Sequence, residues 1–227
     1  MKFIKIITRA LFIAAFPILL LTFSSAVCFN SLWLYNYGFD KYQVSSVTGL
    51  KPAELDMTAR SLIKYFNSNE PYIEVTIERD SASFDLFTHE EKVHFSDVRQ
   101  LVRLNYLAGL LAFICILSYS LSCLLLRKYI YRRLLALNIF WGSLVTILLV
   151  ILMGIASLFD FGNLFLQFHY LAFDNTFWSA EGYMLLLFPG GFWFDVIMIG
   201  CSLILGAALI SGGISFAYLK RTSLDPR

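Results

Sequence analysis

Four long stretches of the sequence are almost entirely apolar, and polar segments of very different length separate them. The apolar stretches lie near residues 10–35, 104–126, 134–158 and 193–219. Each is longer than the roughly 20 helical residues that cross the hydrocarbon core of a bilayer. Their central portions contain no Asp, Glu, Lys, Arg or His. The pattern therefore predicts four transmembrane helices.

The long polar segment between the first two apolar stretches has its own order. An i, i+3/i+4 apolar stripe follows Pro52 and predicts an amphipathic helix that ends at residues 67–69. Residues 72–78 alternate and contain β-branched side chains, which predicts a strand that a turn at 79–81 folds back against residues 83–87. Thr88 then suits the N-cap of a helix that continues into the second apolar stretch.

The second polar segment is shorter and rich in aromatic residues, which suit the boundary between membrane and water. Phe188-Pro189-Gly190-Gly191 breaks the chain before the fourth apolar stretch. We therefore expect residues 159–192 to lie in or near the interface instead of projecting into water.

Composition and charge predict how the four apolar stretches are oriented in a membrane. The chain is 58% hydrophobic and 15% charged, with a mean hydropathy of +0.68, which excludes an ordinary soluble domain. Of the 18 Lys and Arg, three lie before the first span, four lie between the second and third spans, and three lie after the fourth span. The positive-inside rule places those segments in the cytoplasm. The net charge of +2 is therefore explained by topology and indicates no nucleic-acid partner.

These observations predict an all-α membrane protein: a four-transmembrane-helix bundle with a small α+β extracytoplasmic insert between the first two spans. The predicted divisions are residues 1–35, 36–103, 104–158, 159–192 and 193–227. Both termini are then cytoplasmic, and residues 36–103 and 159–192 are extracytoplasmic. All four cysteines fall within spans and follow no metal-ligand spacing, so we interpret them as buried structural thiols.

The chain has three histidines, and all of them fall in the two segments predicted to be extracytoplasmic. His89 and His94 enclose a sequence that resembles a zinc-protease box, but they are five residues apart. That spacing turns them roughly 140° from each other on a helix, so they cannot share one metal ion. We expect no metal site here.

His94 has an acidic residue three positions away on each side, Glu91 and Asp97. Residues at this spacing share a helical face, so a carboxylate could fix the imidazole tautomer and leave the other ring nitrogen free for a substrate. The alternative is a surface histidine among helix-stabilising carboxylates. His169 is similarly open to two interpretations, a reactive group or an amphipathic anchor at the interface.

Taken in order, the motifs resemble one family. Glu91-x-x-His94-x-x-Asp97-Val98 is followed by Phe168-His169, Phe173-x-Asn175-x-x-Trp178 and Phe188-Pro189-x-Gly191-Phe192. This arrangement, with four spans and the long first insert, resembles the bacterial integral membrane lipoprotein intramolecular transacylases (Lit). The family usually has an acidic residue after the Phe-Pro pair, where this chain has Gly190, and its preceding acidic positions are reduced here to Glu181.

The resemblance implies a reaction at the outer face of a bacterial cytoplasmic membrane. Lit-like enzymes move the sn-2 acyl chain of a diacylglyceryl lipoprotein to the α-amino group of its N-terminal cysteine, giving the lyso form. The implied catalytic residues are His94 and His169, with Glu91 and Asp97 in support; Tyr170, Asn175 and Trp178 are candidate substrate-binding residues. One imidazole would act as a base and the other would stabilise the oxyanion.

The sequence leaves several alternatives open. His169 is our preferred base, but the reverse assignment and a transient acyl-imidazole are also compatible with it. The implied partners are the lipoprotein substrate and membrane lipid, and no motif indicates a metal or nucleotide cofactor. A second hypothesis is a non-catalytic binding or sensing protein that uses residues 36–103. Ion-coupled transport is disfavoured because the span centres have no ionisable groups.

Overall fold

The computed structural model describes residues 2–79, 82–126 and 129–224, and these residues are mostly helical. Eight helices are numbered in chain order, with two short strands between the fourth and fifth. They are α1 (Lys2–Asn30), α2 (Leu32–Lys41), α3 (Val44–Thr48), α4 (Pro52–Phe66), β1 (Thr76–Arg79), β2 (Ala82–Asp85), α5 (His89–Leu125), α6 (Tyr129–Ala172), α7 (Tyr183–Leu187) and α8 (Gly190–Leu224). Within these described residues, α1, α5, α6 and α8 are long and apolar enough to cross a membrane, which makes the protein multi-pass.

The residues fall into two compact units. The first, which we call the four-helix unit, takes its described residues from 1–25, 105–155 and 199–227. A chain of polar side chains joins three of its helices: Arg9 Nε donates to Asn138 Oδ1 at 3.1 Å, and Asn138 Nδ2 donates to Tyr119 Oη at 2.8 Å. Asn138 is fully buried, so these bonds satisfy a polar group that would otherwise be costly in an apolar setting.

The second unit, which we call the two-segment unit, contains residues 26–104 and 156–198. Its amphipathic helix α4 has the predicted bounds, beginning at Pro52 and ending before Asn67. The Glu54 carboxylate accepts a hydrogen bond from the Lys51 N–H at 2.6 Å and so satisfies a free donor at the helix start. Most of the predicted stripe is buried, with Leu62 completely inaccessible and Ile63 half-buried.

The two strands are shorter than the alternation predicts. They pair antiparallel, with Thr76 opposite Asp85 and Arg79 opposite Ala82. The alternation of buried and exposed side chains nevertheless begins before β1: Ile73 and Val75, which precede the strand, are buried like Ile77 within it. The prediction of a strand from residue 72 was therefore wrong in extent: the regular pairing begins at Thr76, and only one further bond, from the Leu86 N–H to the Val75 carbonyl at 2.8 Å, precedes it among the described residues. Residues 80 and 81 of the predicted turn lie outside the described residues.

Two helix boundaries also differ from the prediction. The first span ends at Asn30 instead of near residue 35, and α2 begins after Ser31. Residues 159–172, predicted as part of an aromatic segment at the interface, are helical: α6 bends at Asp160 (φ −155°, ψ 77°) and continues to Ala172. Asp160 Oδ1 accepts the Asn163 N–H at 3.0 Å, so the bend is capped like a new helix start. This continuation carries His169.

Candidate functional site

The first turn of α5 is closed by a capping box. The Glu91 N–H donates to Thr88 Oγ1 at 3.3 Å, and the Thr88 N–H donates to Glu91 Oε2 at 2.8 Å. This reciprocal pair satisfies two donors that a helix start leaves free. His94 lies one turn later, so the cap fixes the part of the helix that carries it.

Glu91 also binds the second segment of the two-segment unit. Its Oε1 accepts the Met184 N–H at 2.6 Å, at the start of α7, and its side chain is fully buried. The carboxylate lies directly against Gly182, where a Cβ atom would overlap it. Glu91 therefore ties the start of α5 to residues 182–184, and only glycine leaves room for this approach.

Asp97 makes a second tie between the same segments. Its Oδ2 accepts a hydrogen bond from Asn175 Nδ2 at 2.9 Å, and Asn175 Oδ1 accepts the Phe177 N–H at 3.0 Å. Phe177 begins the short 3₁₀ turn Phe177–Ser179, which carries Trp178. Both polar ends of the Asn175 amide are thus occupied, and they hold the turn that presents the tryptophan.

His169 has a defined hydrogen bond on one ring nitrogen. Nδ1 lies 2.7 Å from the carbonyl oxygen of Phe165, one turn earlier in α6. A carbonyl can only accept, so Nδ1 carries the proton and Nε2 of the neutral ring is the basic nitrogen. The Phe165 ring also lies close, with its centroid 4.1 Å from that of the imidazole.

The two imidazoles converge although 75 residues separate them in the sequence. The rings of His94 and His169 have centroids 6.2 Å apart and planes inclined by 28°. Phe173 contacts both, at 4.9 Å from His94 and 5.4 Å from His169, and Trp178 lies 5.0 Å from His169. Both histidines are buried. The predicted joint arrangement of these two histidines is therefore present in the structure.

Burial sets the charge state of this histidine pair. His94 precedes the apolar portion of α5 that begins near Leu104, and His169 follows the bend at Asp160, so neither belongs to the spans predicted from hydropathy. Burial and, to a smaller extent, the nearby His169 lower the pKa of His94 from 6.5 to about 4. Burial also lowers the pKa of His169, opposed by its bond to the Phe165 carbonyl. Both rings are therefore neutral at pH 7.

Two buried nitrogens beside the pair have no hydrogen-bond partner among the described residues. They are His94 Nδ1 and Trp178 Nε1. Buried donors and acceptors are normally satisfied, so orphaned ones in a cluster mark a place where a polar ligand group can bind. Neither predicted carboxylate hydrogen-bonds to His94 in the described part of the chain, because Glu91 and Asp97 bind the second segment instead.

The remaining predicted residues lie at the edge of the cluster or outside it. Tyr170 is exposed and packs edge-on against Trp178, with ring centroids 5.7 Å apart. His89 is exposed and has Tyr72 beside it, 5.9 Å between centroids. Among the described residues, no group of three or more His, Cys, Asp or Glu side chains is placed to hold a metal ion.

Three contributors were not predicted from the sequence as members of the site. Phe173 packs against both imidazoles, the Phe165 carbonyl sets a tautomer, and Gly182 accommodates Glu91. Two of them left a usable signal. Phe173 belongs to the motif Phe173-x-Asn175-x-x-Trp178, and Phe165 precedes His169 by four residues, the spacing at which a helical side chain meets a backbone carbonyl. Gly182 has none, because the contact depends on tertiary packing.

Comparison with known proteins points to one family. The model of the family described as lipoprotein intramolecular transacylase Lit matches residues 10–193. The chain is similar to the solved structure of the membrane integral lipoprotein intramolecular transacylase Lit from Bacillus cereus, with a TM-score of 0.81 and 15% identity over 99% of this chain and 100% of that chain.

Two further structures of Bacillus cereus Lit, each with one histidine substituted, match with TM-scores of 0.75. The arginine variant is 15% identical over 98% of this chain and 95% of its own, and the alanine variant is 14% identical over 99% and 97%. At these identities the likeness shows a shared fold. A search of curated proteins gave no match.

Proposed function

The chain belongs to the lipoprotein intramolecular transacylase Lit family, and we propose that it moves the sn-2 acyl chain of a diacylglyceryl lipoprotein to the α-amino group of its N-terminal cysteine. The single observation that carries this proposal furthest is the pair of buried imidazoles, 6.2 Å apart, with one tautomer fixed by a backbone carbonyl. The product is the lyso-form lipoprotein, with its N-terminal amine acylated and a free sn-2 hydroxyl.

The fixed tautomer supports His169 as the base. In aminolysis the attacking nitrogen loses a proton as it bonds to the ester carbonyl carbon, and a nitrogen that is free to accept must face it. Nε2 of His169 is that nitrogen, because Nδ1 donates to the Phe165 carbonyl. The proton then passes from Nε2 to the departing sn-2 oxygen as the C–O bond breaks, so the ring returns to its starting state.

His94 is suited to stabilising the oxyanion. Its lowered pKa keeps the ring neutral, and a neutral imidazole still has one N–H to donate to an oxygen that gains negative charge. Trp178 Nε1, which has no partner among the described residues, is a second donor of the same kind. These donors are worth most where water is excluded, and both histidines are buried.

The remaining predicted residues have separate tasks in this proposal. Glu91 and Asp97 position the second segment against α5. Asn175 bonds both Asp97 and the Phe177 N–H and so fixes the turn that contains Trp178. Tyr170 is exposed beside Trp178, where it can contact the lipid part of a substrate. The distribution of Lys and Arg supports a site on the extracytoplasmic side, with both termini in the cytoplasm.

The function is tested by mass spectrometry of lipoprotein N-termini from bacterial cells that lack a transacylase of this kind. Expression of the chain should convert diacylglyceryl termini to the N-acylated lyso form. The variants His94→Ala and His169→Ala should not, and His89→Ala should behave like the parent because His89 is exposed and away from the pair. Unchanged termini with well-expressed parent protein, or full conversion by both histidine variants, would refute the proposal.

A further inference from the structure

A second feature of the molecule is a cavity in the four-helix unit. It has a volume of about 580 Å³ and is lined by α1, α5 and α6. Its lining on α5 runs from Cys115 to Cys123, which corresponds to roughly 12 Å along a helix axis at 1.5 Å per residue, and Leu126 extends the wall just past the end of α5. Apolar side chains such as Leu11, Ile130 and Leu134 make up much of the wall. The cavity therefore suits an elongated apolar group.

Two cations stand at one part of this wall, Lys5 and Arg9, and none of the described lining residues is acidic. Arg9 is oriented by its Nε, which donates to the buried Asn138. Its two terminal nitrogens make no hydrogen bond to the part of the chain that the structure describes, so they are available to a ligand. Lys5 precedes Arg9 by four residues and lies on the same face of α1.

Cationic and apolar surface in one cavity fits a ligand with both an anionic head and a hydrocarbon chain. We propose that this cavity binds an anionic glycerophospholipid of the bilayer, with one acyl chain along α5 and its phosphate on Lys5 and Arg9. Basic pockets between transmembrane helices recognise anionic headgroups in this way. Lys5 and Arg9 lie near the start of α1, at the basic end of the first predicted span. A phosphate bound to them would lie at the membrane edge, with its acyl chain entering the apolar region.

The test uses native mass spectrometry of the full chain, freed of lipid in detergent and given equal amounts of phosphatidylglycerol and phosphatidylcholine with identical oleoyl chains. The parent protein should retain the anionic lipid, with a preference of about fivefold for each participating cation. Lys5→Gln together with Arg9→Gln should abolish that preference. Arg60→Gln, which removes an exposed cation of the two-segment unit, should leave it intact.

A steric pair of variants tests the chain-binding part. Cys115→Trp places an indole in the cavity and should lower retention of both lipids, whereas Ile114→Trp, at an exposed neighbouring position that does not line it, should not. If the double glutamine variant fails to fold, Arg9→Lys and Lys5→Gln serve instead; the first should keep most of the preference and the second should lose about fivefold. Equal retention of the two lipids by the parent, or equal effects of the two tryptophan variants, would overturn the proposal.

Discussion

The start of α5 and the continuation of α6 after its bend each supply one histidine, but they hold it differently. The backbone near His94 is fixed because the Thr88–Glu91 capping box closes the start of its helix. Its Nδ1, however, has no hydrogen-bond partner among the described residues. His169 lies after an irregular residue, Asp160, but its ring is held by a carbonyl hydrogen bond and several aromatic contacts. One region fixes the backbone and the other fixes the side chain.

The contrast explains how two residues of the same type can have different roles. In a neutral imidazole with one N–H bonded to a carbonyl, the other nitrogen is unprotonated and can accept a proton. A ring with an orphaned nitrogen and a pKa near 4 remains neutral and can donate to whichever polar group binds beside it. The proposed division into base and oxyanion donor follows from the hydrogen bonds of each ring, whereas the sequence alone left both assignments open.

The largest effect should come from replacing the histidines, and glutamine separates their roles because it can donate a hydrogen bond but cannot act as a base. His169→Gln should reduce the rate of acyl transfer by about 10²–10⁴, the usual contribution of a general base. His94→Gln should retain much more activity than His94→Ala, for which we expect a loss of about 10²–10³, as for a missing oxyanion donor. The measurement is conversion of a purified diacylglyceryl lipopeptide in detergent micelles.

The same comparison can contradict the assignment. If His169→Gln remains active and His94→Gln does not, the two roles are reversed. If both glutamine variants keep the parental rate, neither ring transfers a proton. His89→Ala should leave the rate unchanged, and it controls for loss of imidazole on the same helix.

A smaller effect concerns stability as a function of pH. The folded state holds the His94 pKa at about 4, below the unfolded value of 6.5, so the unfolded chain binds more protons between these values. Stability from this group is complete above pH 6.5 and is lost as the pH falls through about 4. A difference of this size corresponds to about 3 kcal/mol. The lowered pKa of His169 acts in the same direction.

Thermal unfolding in detergent between pH 7 and 4 measures this loss. Carboxylates also titrate in that range, so the informative quantity is the difference in slope between the parent and His94→Gln. The variant should lose less stability than the parent as the pH falls. Parallel curves would mean that the ring is not held in its neutral form by burial, and the contrast between the two histidine regions would then lose its electrostatic basis.

Much of the fold could be predicted because the signals are local. Four apolar stretches gave the spans, and Thr88 gave the start of α5 because N-caps act within one turn. The bend at Asp160 could not be predicted in the same way: an apolar helix of 44 residues and a span followed by a loop have similar composition. The sequence predicted only an aromatic segment at the interface around His169, whereas the residue lies in the helical continuation of α6.

The candidate site could also be predicted only where its signals are local. The histidine pair could be identified from motif resemblance, since each motif is a local pattern. The partners of Glu91 and Asp97 could not, because helical spacing shows which residues share a face and does not show what packs onto that face. At this spacing both carboxylates can reach His94. Instead Asp97 accepts a hydrogen bond from Asn175, 78 positions later, and Glu91 accepts one from Met184, 93 positions later.

The smallest effect should come from Gly182, which tests whether the two regions depend on one close contact. In Gly182→Ala the new methyl group would overlap the Glu91 carboxylate, which must move away from the Met184 N–H. We expect a loss of about 1–3 kcal/mol in unfolding free energy, the usual cost of overpacking. The matched control is Gly190→Ala, because a Cβ there meets nothing within 4 Å. Equal thermal stability of the two variants would show that residues 182–184 can shift without loss, and that Glu91 stabilises α5 through its capping box alone.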